Sequence, residues 1–390
     1  MKFFFTFILI MCLVPLGMIW AGGGQEEAAE IVAPLVEEEP EDWDAIYEAA
    51  KVEGLVVLYC LSSRVFDIVE SFKAEYPGIE VEAFDITGVD QVDKLSREQA
   101  AGVYNVDVLN LANGTTLLME FLPQGLVHNY VPQTLLGGAA SVDVIPQNLR
   151  EPLLVGTIES KVVFFNTEKY STAPVDSLWD LTRSEWKGKV QMKDPMLTDE
   201  NMNFLQMIVK NADDMAAAYK TEFGNPITLS EGIENAGYEF IKRLVENDLV
   251  LTTSDGTAAK AVGAKDQSDP PLTVSVASSK LRYNDSKDMV LDIAWEMTPK
   301  IGISKANYIV MAKNSPHPNA AKLMIRWMLG DQMGGAGMTP NFVPGQWPSR
   351  SDVKPAIDIT LDDLTKYTWF LDLDYIYDNG LPVRDFWLSL

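Results

Sequence analysis

Residues 55–59 read Leu-Val-Val-Leu-Tyr, a continuous apolar run of strand length. Because no polar residue alternates within it, the run predicts a strand buried on both faces, as in a parallel sheet. Helical spacing of apolar residues precedes it at 43–50 and follows it at 65–76. Further strands are predicted at 79–84 and 106–111, with helices between them. This alternation predicts right-handed crossovers and a parallel α/β sheet.

The alternation of strands and helices starts again near Val162, which predicts a second lobe. Lobe one is expected to span residues 44–155, completed by 295–350, and lobe two residues 156–294. Helices over residues 351–390 are expected to pack across the two. The later strands are predicted at 162–166, 189–192, 249–252 and 308–312, and the later helices at 201–210, 233–247 and 320–327.

Composition excludes several classes of protein. The chain has 390 residues, which is enough for two domains, and 47% are hydrophobic, which is enough for large cores. Its formal net charge is −25, and so acidic a surface repels phosphate backbones, which argues against a nucleic-acid partner. Two cysteines and two histidines are too few for a disulfide scaffold or for a zinc or iron–sulfur site. We therefore predict no metal and no cofactor.

The N-terminus predicts export from the cytoplasm. One lysine precedes an apolar run that ends at Trp20, and Ala21 is followed by three glycines. This pattern is typical of a cleavable signal peptide over residues 1–21 and predicts a periplasmic or other extracytoplasmic location. An uncleaved anchor is one alternative, disfavoured by the proline and glycine inside the run. A lipid anchor at Cys12 is another, disfavoured because a bulky methionine precedes it.

Residues 22–41 contain seven glutamates and two prolines but no lysine or arginine. Such a segment cannot bury enough apolar surface to order itself, which predicts a disordered acidic tether, with order beginning at Asp42. Cys60 is the only cysteine after the predicted signal peptide, and it ends an apolar strand. We therefore expect a buried, inert thiol.

Small residues with hydroxyl or amide groups follow several predicted strands. In an open parallel sheet, ligands lie outside the carboxyl ends of the strands, beside helix N-termini. The same residue types are the usual helix caps, so any single turn has that second interpretation, whereas five such turns favour a small-ligand cleft. The candidate ligand-binding residues are Ser62, Ser63, Arg64, Thr87, Asn113, Gly114, Asp194 and Asp255, to which we add Thr157.

Catalytic motifs are absent from the sequence. It contains no P-loop, no nucleophile elbow and no paired-histidine zinc motif, and no spacing singles out a pair of carboxylates. We therefore predict a binding protein without catalytic activity. A secreted α/β enzyme acting on a small polar substrate stays as the alternative, and a receptor that signals rather than transports is a third possibility.

Several stretches resemble the extracellular solute-binding proteins that feed ABC importers, in the group that takes iron(III), thiamine and sugar phosphates. The first is Tyr47–Tyr59 with Ser62 and Ser63 after it, and the likeness continues to about residue 355. Each stretch alone is weak evidence, but together they occur in order and with sensible spacing. The others are Phe72–Ile79, Val106–Leu109, Val163–Thr167, Trp186–Val190 with Asp194 and Pro195, and Ser315–Lys322.

The resemblance implies a type II periplasmic-binding-protein architecture. In that architecture two α/β lobes are joined by hinge strands, and a central cleft closes on the ligand. It also implies an ABC permease and its ATPase as partners, and we expect a monomer. The iron-binding branch uses adjacent tyrosines, but this sequence has no Tyr-Tyr pair. Tyr283, a further candidate, stands alone in the expected region beside Lys280 and Arg282, which argues against iron.

The expected ligand is a small polar molecule with an anionic group, such as a sugar phosphate or a carboxylate. Arg64 and the N–H groups of the helix that begins there would hold the anion. The negative net charge favours a polyamine or a metal cation instead, but salt screens that field within about 8 Å. Asp194 and Asp255 also suit ligand hydroxyls or amines, so a cationic ligand stays as the alternative.

Overall fold

The apolar run at 55–59 lies between two parallel neighbouring strands, as predicted, although the sheet as a whole is mixed. The structure, a computed structural model, describes residues 40–390. The predicted signal peptide at 1–21, Cys12 within it and the predicted tether up to residue 39 lie outside the described residues. The strands are β1 Leu55–Cys60, β2 Glu80–Asp85, β3 Val108–Leu111, β4 Val127–His128, β5 Val155–Val162, β6 Phe164–Asn166, β7 Val190–Lys193, β8 Val250–Thr252, β9 Leu272–Thr273, β10 Val276–Ala277, β11 Leu291–Ile293, β12 Gly302–Ala312, β13 Gln346–Pro348 and β14 Thr368–Phe370.

The first helix shows how local sequence sets helix ends. The Asp42 side chain accepts hydrogen bonds from the N–H groups of Asp44 at 3.1 Å and Ala45 at 3.0 Å, and Gly54 ends the helix with a φ of 73°. The α-helices are α1 Trp43–Glu53, α2 Val65–Glu75, α3 Gly88–Ala100, α4 Gly114–Thr116, α5 Ser141–Val144, α6 Gln147–Arg150, α7 Asp199–Lys210, α8 Ala212–Phe223, α9 Ala236–Glu246, α10 Asp255–Gly263, α11 Tyr283–Lys287, α12 Pro318–Met328, α13 Leu364–Tyr367 and α14 Leu373–Ser389. Short 3₁₀ helices lie at Leu178–Thr182, Ser184–Trp186, Pro195–Leu197, Ser278–Arg282 and Ala336–Asn341, and a π-helical turn at Leu117–Phe121.

Strand β12 joins two parts of the main sheet. Its C-terminal half pairs antiparallel with β3, and its N-terminal half pairs antiparallel with β5. The order across this sheet is β10-β5-β12-β3-β1-β2, with β4 and β14 also paired to β12 and β13 to β5. A second, parallel sheet has the order β8-β7-β9, and β6 pairs with β11.

Buried apolar side chains form three cores that divide by chain region. One core comes from residues 162–303 together with Trp369, Ile376 and Val383. The other two come from the chain before residue 159 and from residues 309–364. Strands β5 and β12 contribute residues to the cores of both regions, so these two strands cross from one to the other.

The C-terminal segment 351–390, predicted as helices, contains α13 and α14 but also a strand, β14, which pairs with β12. Helix α14 packs against both chain regions. The Phe386 ring lies 4.7 Å from that of Tyr238, centroid to centroid. At the other end of the helix, Leu373 lies so close to Gly114 that a β-carbon there would be 3.0 Å from the leucine side chain.

Glu41, the last residue of the predicted tether, is held by the folded body. Its N–H donates to the Gln133 side chain at 2.9 Å, and its carboxylate accepts from the Gln133 N–H at 2.8 Å and from the Tyr130 hydroxyl. Order therefore begins before Asp42, because these contacts fix the residue that precedes it. Within residues 40–390, no helix is both long enough and apolar enough to cross a membrane.

Cys60, at the end of β1, is a free, buried cysteine whose Sγ lies 3.4 Å from the side-chain oxygen of Asn110. Burial raises the pKa of the thiol to about 11. The reactive thiolate is therefore suppressed at neutral pH, and the predicted inert thiol is confirmed.

A fully buried carboxylate, that of Asp107, ties three segments of the first region together. The N–H of Val57 in β1 donates to Oδ2 at 2.8 Å. The Ser315 hydroxyl and the N–H of His317 donate to Oδ1, and His317 Nδ1 lies 2.9 Å from Oδ2. One side chain thus holds β1, the approach to β3 and the chain that leads into α12.

Replacing Asp107 by alanine should lower the free energy of unfolding by about 3 kcal/mol, because several buried donors lose a charged acceptor. Urea denaturation measures the change. Asp93→Ala, at an exposed position on α3, is the matched control and should stay within about 0.5 kcal/mol of the unchanged protein. A similarly small loss for Asp107→Ala would show that water replaces the carboxylate equally well as the hydrogen-bond acceptor for the three segments.

Candidate functional site

A cleft with a cavity volume of about 230 Å³ lies where turns after several strands converge. Loops after β1, β2 and β3 supply one side, and the starts of α7 and α10 with the segment after β10 supply the other. This is the arrangement expected for a ligand site at the carboxyl ends of parallel strands. The lining residues are Leu61, Ser62, Arg64, Thr87, Gly88, Val89, Ala112, Asn113, Glu159, Lys193, Leu197, Thr198, Asp199, Glu200, Asp255, Ala277, Ser279, Lys280 and Arg282.

The cleft brings together half of the residues predicted from the sequence. Ser62, Arg64, Thr87, Asn113 and Asp255 line it. The remaining candidates are not among the lining residues, and each has another role or position in the fold. They are Ser63, Gly114, Thr157, Asp194 and Tyr283.

Two of these remaining candidates have local structural roles. Gly114 allows close packing, because a β-carbon there would lie 2.9 Å from the Tyr308 ring. Asp194 caps a 3₁₀ helix by accepting a hydrogen bond from the Met196 N–H at 2.8 Å. Ser63 is exposed beside the cleft.

Thr157 and Tyr283 lie behind the lining residues. The Thr157 hydroxyl accepts from Asn307 at 3.0 Å and from Gln346 at 2.9 Å, which places it in a network beneath the cleft. Tyr283 is buried, with the ammonium of Lys280 at 5.6 Å and the guanidinium of Arg282 at 5.2 Å from its ring centroid. Its aromatic face therefore supports two of the cations that line the cleft.

The start of α2 does not offer free N–H groups to a ligand. The N–H groups of Val65, Phe66 and Asp67 donate to the carbonyl oxygens of Ser62, Ser63 and Arg64 in turn. The expected contribution of this helix terminus to anion binding is therefore not available in this structure. Side chains have to supply the charge.

Four cationic side chains line the cleft without an acidic partner. Within the described chain, no carboxylate forms an ion pair with Arg64, Lys193, Lys280 or Arg282. Arg64 is oriented by hydrogen bonds to neutral groups, among them the side chain of Gln346 at 2.9 Å. Burial lowers the pKa of Lys280, and the neighbouring Arg282 lowers it further.

Three of the four carboxylates that line the cleft form ion pairs with two buried lysines. Lys161 lies 2.8 Å from Asp255 and 3.5 Å from Glu200. Lys305 lies 2.8 Å from Glu200 and 3.3 Å from Glu159. The two lysine side chains are 0% and 1% exposed, so their charges are available only to these partners.

Both kinds of group in this network are ionised. Burial alone would raise the pKa of Glu200, but the ammonium groups of Lys305 and Lys161 outweigh it and hold that pKa well below its usual range. Burial alone would lower the pKa of Lys305, but Glu200 and Glu159 raise it above its ordinary value. Glu200 and Lys305 therefore keep their charges at neutral pH.

The fourth carboxylate in the cleft bonds across it. The Asn113 side-chain amide, after β3, donates to the carboxylate of Asp199, at the start of α7, at 2.6 Å. Asn113 also lies against the backbone of Gly88, where a β-carbon would be 1.9 Å from its amide oxygen. A larger residue at that position would displace the Asn113 side chain from where it bonds to Asp199, which gives the Thr-Gly turn after β2 a role in shaping the cleft.

The sequence predictions missed the charged floor of the cleft, Glu159, Lys161 and Lys305, because they started the strands too late. The strand predicted at 162–166 coincides with β6 and includes only the last residue of β5, and the strand predicted at 308–312 begins six residues after the start of β12 at 302. Charged residues inside those strands interrupted the apolar pattern. The signal was present as alternation, since Thr157, Glu159 and Lys161 are spaced for one face of a strand.

One group of three carboxylates within residues 40–390 is close enough to hold a cation. It consists of Asp176, Asp180 and Glu222, none of which lines the cleft. The guanidinium of Arg183 already pairs with two of them.

Solved structures share this fold along most of the chain. Apo ferric ion-binding protein A of Pasteurella haemolytica is 16% identical, with a TM-score of 0.62, over 86% of this chain and 97% of that one. Iron-bound HitA of Pseudomonas aeruginosa is 16% identical, with a TM-score of 0.61, over 85% and 99%. AfuA of Actinobacillus pleuropneumoniae, a periplasmic binding protein with fructose-6-phosphate bound, is 15% identical, with a TM-score of 0.61, over 86% and 98%.

These likenesses confirm the predicted fold, a two-lobed type II periplasmic-binding-protein architecture with a central cleft. Identities this low show the fold alone. A search of the curated proteins finds no match. The family model for bacterial extracellular solute-binding proteins matches residues 66–334, which is more than half of the chain. The resemblance read from the sequence is therefore confirmed, and the chain belongs to the bacterial extracellular solute-binding proteins.

Proposed function

We propose that this solute-binding receptor captures a small anionic solute, a sugar phosphate or a carboxylate, in its cleft. The family gives the coarser role: an extracytoplasmic receptor that binds a small molecule and delivers it to an ABC permease. The observation that carries the finer proposal is the set of four cations, Arg64, Lys193, Lys280 and Arg282, that line the cleft without acidic partners. Cations that a protein leaves unpaired and half-buried are favourable partners for an anion.

The net charge of −25 does not oppose this proposal. Charges spread over the surface act across salt solution, which screens them within about 8 Å, and they influence mainly the rate of encounter. Affinity depends on the groups that touch the ligand. In the cleft Glu159, Glu200 and Asp255 form ion pairs with Lys161 and Lys305, whereas the four lining cations form no ion pair within the described chain.

The predicted lobe limits remain part of the proposal, with lobe one at 44–155 and 295–350 and lobe two at 156–294. The separate cores of the two chain regions support a division close to these limits, at positions within β5 and β12. Arg64 follows β1 in the first region, whereas Lys280 and Arg282 follow β10 in the second. An anion that contacts all three would hold the lobes together, so binding and closure would be coupled.

A ferric or polyamine ligand is the main alternative. Two of the similar structures are a ferric ion-binding protein and an iron-bound protein, but at 16% identity they bear on the fold only. Ferric iron needs several anionic oxygens, and none of the described lining residues is a tyrosine. The expected anionic oxygens here, those of Glu159, Glu200 and Asp255, are already paired with lysines.

Export and oligomeric state belong to the same proposal. We propose cleavage of the signal peptide after Ala21, with residues 22–39 acting as an acidic spacer between the folded body and its surroundings. The receptor acts as a monomer. The family supports a binding protein over the secreted enzyme that the sequence left open.

Arg64→Ala should weaken anion binding at least tenfold, about 1.4 kcal/mol, because the variant removes a cation that has no acidic partner. Isothermal titration calorimetry with glycerol 3-phosphate, citrate and putrescine measures the affinities. Arg97→Ala, an exposed arginine on α3, changes the net charge equally and should leave them unchanged. Tight binding of putrescine or ferric iron, with Arg64→Ala harmless, would contradict the proposed function.

Anion affinity should fall as the solution becomes alkaline. The pKa of Lys280 in the free protein lies below the usual 10.5 because of burial and because of Arg282, although Glu159 and Asp255 oppose this and Arg64 adds to it. A bound anion favours the charged ammonium, so the affinity is full below that pKa and decreases as pH rises through it.

The measurement is a titration of glycerol 3-phosphate from pH 8 upward, where the phosphate ester keeps a constant charge. Lys280→Arg should retain affinity at a pH where the unchanged protein has lost it, because arginine does not deprotonate there. The same decrease in both proteins would show that Lys280 does not contact the ligand.

A further inference from the structure

A row of polar side chains runs along the two strands that connect the chain regions. On β5, Glu159 and Lys161 are two residues apart and therefore share one face of the strand, while Ile158 and Val162 belong to the apolar cores. On β12, Lys305 stands directly opposite Glu159 in the antiparallel register. The strands thus bury charges on the face beneath the cleft, although β-strands at such depth usually carry apolar residues.

Burying these charges lowers the stability of the fold, and the binding site offers a reason for the chain to carry them. An ionised lysine with almost no exposed surface loses its hydration, and its ion pairs recover that loss only with good geometry. The carboxylate of Glu200 contacts the ammonium groups of both Lys161 and Lys305, so the ion pairs of the two lysines share this partner. A leucine or methionine at either position would suit a buried strand better if nothing else depended on the charge.

The two lysines change the charge balance of the cleft. Its lining residues carry four positive and four negative side chains, so on their own they are balanced. Lys161 and Lys305 are not lining residues, but each lies within 4 Å of carboxylates that are, at 2.8 Å to Asp255 and 2.8 Å to Glu200. With them the balance becomes +2, in a chain whose formal net charge is −25.

We propose that Lys161 and Lys305 are positioning residues that decide the sign of the ligand charge the cleft accepts, without touching the ligand. The inference rests on the proposed function, an anionic ligand. By holding Glu159, Glu200 and Asp255 in ion pairs, the lysines leave the unpaired cations as the charges that a ligand meets. Without them the positive and negative lining charges balance, and the preference for an anion is lost.

The test uses the full mature chain and four variants. Lys305→Met removes the charge at similar volume. Glu200→Gln keeps the side-chain shape and frees positive charge instead. The double variant removes one charge of each sign, and Lys189→Met, at a surface lysine paired with Asp269, repeats the loss of one positive charge outside the cleft. Calorimetry with glycerol 3-phosphate and putrescine gives the affinities, and thermal unfolding confirms that each variant is folded.

If charge decides which ligand binds, the two single variants should change the affinity for glycerol 3-phosphate in opposite directions. Lys305→Met should weaken glycerol 3-phosphate binding at least tenfold and strengthen putrescine binding, whereas Glu200→Gln should strengthen glycerol 3-phosphate binding about threefold. The double variant should lie between them, and Lys189→Met should match the unchanged protein. A purely structural role for the network would instead weaken binding of both probes in both single variants.

Two results overturn the inference, and they are distinguishable from failure of the proposed function. Unchanged anion affinity in Lys305→Met refutes it while the proposed function stands. If Lys305→Met does not fold, unchanged or weaker anion affinity in Glu200→Gln refutes it in the same way. If the unchanged protein binds putrescine and not the anion, the proposed function fails, and this inference fails with it.

Discussion

The antiparallel ladder between β5 and β12 determines both the architecture and the position of the binding site. These strands contribute residues to the cores of both chain regions, so they have to be apolar over much of their length. They also place Glu159 opposite Lys305 beneath the cleft. The same two strands therefore connect the regions and form the charged floor of the site, which links the architecture to the chemistry of binding.

Charge is distributed unevenly between the surface and the cleft. The chain carries 56 acidic and 31 basic residues. Around the cleft, however, the lining side chains together with the buried Lys161 and Lys305 carry a net charge of +2. An acidic exterior keeps a secreted protein soluble and apart from nucleic acids and anionic surfaces. A positively charged cleft is compatible with an acidic surface, because salt screens the surface charges whereas the cleft charges act on a ligand in contact with them. Net charge is consequently a poor guide to the ligand of such a receptor.

Local sequence patterns were sufficient for much of the fold. The apolar run of β1, the Asp42 cap and the Gly54 stop of α1 each have a short-range cause, and the structure has them as expected. Several cleft residues were also predictable, because Ser62, Thr87 and Asn113 follow strands in a parallel sheet.

Contacts between distant residues were not predictable in this way. The roles of Lys161 and Lys305 depend on ion pairs with residues on other elements, such as Glu200 on α7. A single sequence does not reveal those partners. No predicted strand included Thr157, which lies on β5 and hydrogen-bonds to Asn307 and Gln346 instead of lining the cleft. The role of Gly114 likewise depends on Tyr308 and Leu373, which are remote in the chain.

Native mass spectrometry of the protein purified without refolding would identify the ligand class, since tightly bound ligands survive gentle purification. If the cleft holds an anion, the spectrum should show a small adduct that, once released, fragments as a phosphate ester or a carboxylate, and that is absent from a variant lacking Arg64 and Lys280. Release of a polyamine or of an iron atom would contradict an anionic ligand.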